Sequence, residues 1–124
     1  MFKYLKNERG GTPSYNTVLT KNGVNYKRGM LITASGDIAT GSTEPDYLVT
    51  EEVTGGEGIT VCAIAVSHDD IYTVELTASG EGLNHGDKLT LSDDGLGVTS
   101  QTGGTAKVIW INGTEIGSEI YVKF

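Results

Sequence analysis

The chain has 124 residues, a net charge of −7 and a single cysteine. That length allows one domain with a sizeable core, and one cysteine excludes an internal disulfide. An acidic body also argues against a nucleic-acid-binding domain, because most of its surface would repel a phosphate backbone.

The charge is unevenly spread. Residues 1–28 hold six of the nine basic side chains and one acid, giving +5 there and −12 over the remainder. A basic start on an acidic body suggests that the start has its own partner. Charges interrupt MFKYLKNERGG every few residues, so it does not read as a signal peptide, and no apolar run is long enough to span a bilayer. The expectation is a soluble protein made in a cytoplasm.

In chain order, residues 1–15 read as an extended N-terminal arm. Phe2 and Tyr4 alternate with Lys3 as a strand laid on a surface would, whereas Asn7 to Ser14 has loop composition. Such a segment can order on a partner by adding a strand to a sheet edge. A frayed terminus, or an arm packed on its own domain, is the competing reading. Asn16–Thr20 is a short strand and Asn22-Gly23 a turn. A strand over Tyr26–Thr33 follows, then a Ser35-Gly36-Asp37 turn, a polar loop to Pro45 and an extended piece over Asp46–Val49. Glu51-Glu52 with Gly55-Gly56 reads as an exposed acidic loop.

Ile59–Val66 is the candidate central buried strand, with Cys62 as a small buried residue within it. Ile71–Ala78 alternates, Tyr72, Val74 and Leu76 facing one way and Thr73, Glu75 and Thr77 the other. Joined by Ser67-His68-Asp69-Asp70, these two strands are expected to form a hairpin. Gly86 then opens a strand through Leu89 and Leu91, which Asp93-Asp94-Gly95 turns. Ala106–Ile111 and a final strand over Glu119–Phe124 flank Asn112-Gly113, read as a two-residue hairpin turn. About eight to ten short strands with glycine-rich turns indicate an all-β barrel or sandwich.

The polar clusters offer little chemistry. His68-Asp69-Asp70 has no second histidine or cysteine at ligand spacing, and neighbours in a turn point apart, so a solvated loop is expected. His85 and Asp87 read the same way. Asp93-Asp94-Gly95 lacks the other ligands of a calcium loop, and no phosphate-cradling or nucleophile motif is present. Asn112-Gly113-Thr114 matches a glycosylation sequon inside a tight turn, which is read as a chance match. Trp110 is expected in a core or interface, with a sugar-stacking platform as the alternative.

The order Tyr26-Lys-Arg-Gly29-Met-Leu, Thr43-Glu-Pro45-Asp-Tyr47-Leu48, the strands Val61–Val66 and Ile71–Leu76, Leu83-Asn-His-Gly86-Asp-Lys-Leu89 and the closing Gly117–Phe124 resembles the head decoration (capsid cement) proteins of tailed bacteriophages. The resemblance covers residues 16–124 and rests on glycine-and-turn cadence. It implies a small single-domain β-barrel or β-tulip-like fold over 16–124, with 1–15 as the arm. It also implies a non-enzymatic virion protein on the outer capsid surface, made in a bacterial host. The partner would be the major capsid protein and the assembly a homotrimer, with no cofactor, metal, nucleic acid or membrane involved. By the same resemblance Phe2, Lys3, Tyr4, Leu5, Lys6 and Arg9 would form the capsid-contacting arm. In such a trimer Tyr121, with Ile109 or Ile111, is expected at the subunit interface. A carbohydrate-binding β-domain is the rival from another class, and an enzyme whose site assembles between subunits is the third reading.

Overall fold

Short alternating segments separated by glycine turns give twelve strands and no helix. They are β1 (Lys3–Asn7), β2 (Tyr15–Leu19), β3 (Asn25–Tyr26), β4 (Leu31–Ile32), β5 (Tyr47–Val49), β6 (Val53–Thr54), β7 (Thr60–Ala65), β8 (Asp70–Glu75), β9 (Lys88–Leu91), β10 (Val98–Thr102), β11 (Ala106–Ile111) and β12 (Glu119–Lys123). The computed structural model describes residues 1–124. All strand pairs are antiparallel, in a six-stranded sheet ordered β1-β8-β12-β11-β9-β10, a four-stranded sheet β2-β7-β5-β4 and a ribbon β3-β6.

Two apolar clusters follow from these layers. Tyr72, Val74 and Leu76 point inward with Ile120, Val122, Val108, Leu89 and Leu91, and meet Leu31, Leu48 and Ile64 of the four-stranded sheet. The other face of that second sheet, through Val18, Ile32, Val49, Val61 and Ala63, packs on Tyr26 and Met30.

The large sheet curls. In a flat sheet β8 and β10 would lie four strand spacings, about 19 Å, apart. Instead Leu76, just past β8, forms a parallel bridge with Val98, and both the N–H and the hydroxyl of Thr77 donate to Val98 O at 2.9 Å. Gly97 allows this approach, since a Cβ there would lie 2.6 Å from Thr77 Cγ2. The contact is one bridge long, and no sheet closes into a barrel.

Several expectations change here. The start of the chain packs on its own domain. Lys3–Asn7 pairs with β8 as the edge strand of the large sheet, and Phe2 is 1% exposed in the main core. One deeply placed aromatic outweighs the polar composition around it. The expected β7–β8 hairpin is a corner between sheets, because β7 pairs with β2 and β5 while β8 pairs with β1 and β12. Tyr26–Thr33 is two short strands, broken where Gly29 takes φ +84° and Met30 N–H donates to Lys27 O. The acidic loop after Thr50 contains β6, which pairs with β3. β11 and β12 do form a hairpin, but residues 112–118 join them and the left-handed glycine is Gly117.

Candidate functional site

The basic segment at the chain start is delivered to one face of the six-stranded sheet. Phe2 lies 6.0 Å from the Phe124 ring, Tyr72 lies 5.7 Å from Phe124, and Tyr4 meets Tyr72 edge-on at 6.1 Å. These aromatic contacts, together with Phe2 N–H donating to Gly29 O at 3.0 Å, dock the segment. Of the six residues expected to contact a partner, Phe2 is therefore buried and Tyr4 half-buried. Lys3, Leu5, Lys6 and Arg9 remain exposed. Leu5 sits where the β1–β8 register slips, and Arg9 pairs with Asp69 at 3.3 Å.

Strand pairing arranges the outer face of this sheet in three rows. Lys88, Lys107 and Lys123 stand in direct cross-strand register on β9, β11 and β12. Lys3, Thr73, Tyr121 and Trp110 follow across β1, β8, β12 and β11, and Glu75 opposes Glu119 at the far end. Lys6 joins the lysine end through its register with Ile71. The three strand lysines are the only basic side chains after Arg28, and all three line one cleft of about 360 Å³ with His68, Glu44, Thr105 and Phe124. Like charges in opposed register are unfavourable unless water or an opposite charge screens them. Glu8 supplies part of that charge through its ion pair with Lys123. The ammonium of Lys123 bonded to Glu8, with Lys6 and Lys107 nearby, holds that carboxyl below its ordinary range. Lys88 and Lys107 have no ion-pair partner within the chain, so this end of the face can accept carboxylate or other oxyanion groups.

The His68-Asp69-Asp70 cluster divides among three partners. His68 Nδ1–H donates to Phe124 O at 2.8 Å, and Asp69 pairs with Arg9. Asp70 is buried and accepts from Asn7 Nδ2 at 2.8 Å, Tyr72 Oη at 3.1 Å and Ser67 N at 3.2 Å. The expected solvated loop thus contains a buried carboxylate that braces a corner. Burial, and the carboxylate of Asp70 beside it, push the Tyr72 hydroxyl well above its ordinary range, so it stays a donor. Asp87 accepts from Asn84 N, and Asp94 from Ser92 Oγ and Leu96 N, both as turn residues. No three His, Cys, Asp or Glu side chains converge as metal ligands.

Two further expectations are revised. Cys62 is exposed, because β7 alternates and sends Val61 and Ala63 inward instead. A bond to the Glu51 side chain and the charge of that carboxylate push its thiol up. Ile111 faces the core opposite Ile120, so it is not an outward interface residue. Trp110 is 40% exposed and stacks obliquely on Tyr121 at 4.6 Å.

Lys88, Lys107 and Lys123 lie far apart in the sequence, and nothing local groups them. Their strand positions were readable, but their shared row required the β9-β11-β12 order. Compared with known proteins, the chain matches no protein-family model and no curated protein.

Proposed function

We propose that this is a non-enzymatic structural virion protein that binds the outer surface of a phage head and stabilises the shell. The observation that carries the reading is the basic face. An acidic protein gathers Lys3, Lys6, Lys88, Lys107 and Lys123 on one side of a rigid sheet, drawing them from both ends of its sequence. A sheet-borne row of cations suits a repeated, electrostatically guided contact with an acidic protein surface, and many such weak contacts add up on a lattice. The curl of the large sheet supports the barrel-like architecture implied by the resemblance to head decoration proteins. The homotrimer remains part of the proposal, as an arrangement reached on the shell.

Co-sedimentation with expanded, undecorated phage heads tests this. Deleting residues 1–15 is unsuitable, since it removes Phe2 from the core. The informative variants are Lys88→Glu with Lys107→Glu, and Lys3→Glu with Lys6→Glu. The intact chain should saturate the heads, binding should weaken steeply with salt, and the first pair of reversals should abolish it. Saturation unaffected by any reversal would remove the basic face from the proposal, and no binding by the intact chain would remove the decoration reading.

The second reading, a carbohydrate-binding domain, draws on the half-exposed Trp110 stacked on Tyr121. A glycan array response abolished by Trp110→Ala would favour it.

A further inference from the structure

We infer that β2 is a self-pairing edge, through which two copies of the chain join antiparallel about a twofold axis at Thr17. The contact does not rest on the capsid reading and uses the other sheet.

β2 borders the four-stranded sheet and pairs only with β7. Ala65 N–H donates to Ser14 O, and Thr20 N–H donates to Ile59 O. Even-numbered residues therefore face β7, while Tyr15, Thr17 and Leu19 turn their N–H and C=O groups to the open side. The same three side chains share the solvent face. Tyr15 is 71% exposed and Leu19 is 68% exposed, a level matched among large apolar side chains only by Ile116.

The other sheet edges carry the devices that normally discourage pairing. β1 has Lys3 and Lys6 and a register slip at Leu5. β10 has an irregular register between Val98 and Thr102. β4 is covered by the bridge from Ile32 to Ile38. β2, reading Tyr-Asn-Thr-Val-Leu, has no charge, no proline and an unbroken register with β7. Of the four edges of the two larger sheets, this one is left flat and uncharged.

The strand is also its own complement. An antiparallel copy centred on Thr17 sets Tyr15 against Leu19 of the second copy, twice by symmetry, and Thr17 against itself. Aromatic–aliphatic pairs of this kind are favourable across strands, and a twofold contact needs such self-complementarity. The Thr17 N–H and C=O, the Leu19 N–H and the Tyr15 C=O would supply the bonds. The Leu19 C=O is left out because the Gly36 turn already approaches it, a Cβ there lying 2.7 Å away. Two bodies of charge −7 repel, so added salt should tighten this contact, opposite to the trend at the lysine face.

Sedimentation equilibrium across protein concentration, with cysteine trapping, tests the pairing. The intact chain should dimerise reversibly, more tightly at high salt. Thr17→Pro removes an N–H that points away from β7, and Leu19→Lys places a charge on the edge. Each should weaken association at least about tenfold. Thr17→Cys in a Cys62→Ser background should cross-link as a dimer on mild oxidation, because opposed Cα atoms would lie about 5.5 Å apart. Glu57→Cys in the same background should not. A strictly monomeric or trimeric intact chain, or Thr17→Cys chains that fail to cross-link, would overturn the inference. If Thr17→Pro does not fold, the cross-link decides.

Discussion

The side-chain amide of Asn7 donates to the carboxylate of Asp70 at 2.8 Å, joining residues 63 apart in sequence. The bond fixes the end of β1 to the start of β8, and Asn7 Oδ1 in turn accepts from the N–H groups of Arg9 and Gly11. Asp70 also receives Ser67 N and Tyr72 Oη, so one buried carboxylate holds the N-terminal strand, the corner between the sheets and a core tyrosine. Asp70→Ala should destabilise the protein by about 2–4 kcal/mol, because three donors lose their acceptor in a largely dry site. Asn7→Ala should cost about 1–2 kcal/mol. Urea unfolding at neutral pH measures both, and values within experimental error of the intact chain would show that the corner is held elsewhere.

Gly29 makes a second, separable demand on the N-terminal segment. Its φ of +84° disfavours any side chain, and a Cβ there would lie 2.5 Å from Met1 Cβ and 2.9 Å from Phe2 O. Gly29→Ala should therefore cost about 2–4 kcal/mol, combining a left-handed backbone with displacement of the segment that seats Phe2. Gly103 provides the contrast, with φ +90° and open space around it. Gly103→Ala should cost only about 1–2 kcal/mol. Equal losses in thermal or urea unfolding would mean that the close approach at Gly29 relaxes at no cost.

The difference between those two glycines is of the kind that sequence leaves hidden. Turn chemistry is readable at Asn22-Gly23 and Asp93-Asp94-Gly95, and alternation gives the inward face of β8. Each is a local property of a few residues. The connection after Val66 departs from the expected hairpin because a short polar link serves a hairpin and a corner between sheets equally well. The outward orientation of Cys62 is hidden in the sequence because every residue from Val61 to Val66 is small or apolar, which masks a period of two. Lysines at 88, 107 and 123 become neighbours only through strand order, and the docking of residues 1–7 turns on a single aromatic among polar residues.

Cys62 gives the exposed face of β7 a direct probe. Its thiol should react with a disulfide reagent in the folded protein without denaturant, which a buried cysteine would not do. The reaction should nevertheless be slow at neutral pH, because the bond to Glu51 and the charge of that carboxylate keep the thiol protonated. Glu51→Gln should speed labelling through a larger thiolate fraction. Labelling that needs denaturant would contradict the outward orientation, and an unchanged rate in Glu51→Gln would remove the electrostatic cause.

The ion pair of Glu8 with Lys123 ties the N-terminal segment to the lysine row and gives it a pH dependence of definite sign. Lys123 bonded to its carboxylate holds the folded-state pKa of Glu8 below its ordinary value of 4.5. A carboxyl shifted downward on folding contributes stability that is fully present above its unfolded pKa and disappears as the pH falls through the folded one. Glu8 is exposed and Lys123 half-buried, so the contribution is expected to be small and sensitive to salt. Glu8→Gln should lower the urea midpoint slightly at pH 7, leave it unchanged well below the folded pKa, and flatten the acid limb between them. Lys123→Met should remove the same part of the limb, and the double variant should lose no more than either single one. If Glu8→Gln shifts the midpoint equally at both ends of the range, the bond is not what lowers the Glu8 pKa. The same titration predicts that acid frees Lys123, leaving the lysine row more strongly positive just where the proposed contact with an acidic shell would begin to lose its carboxylates.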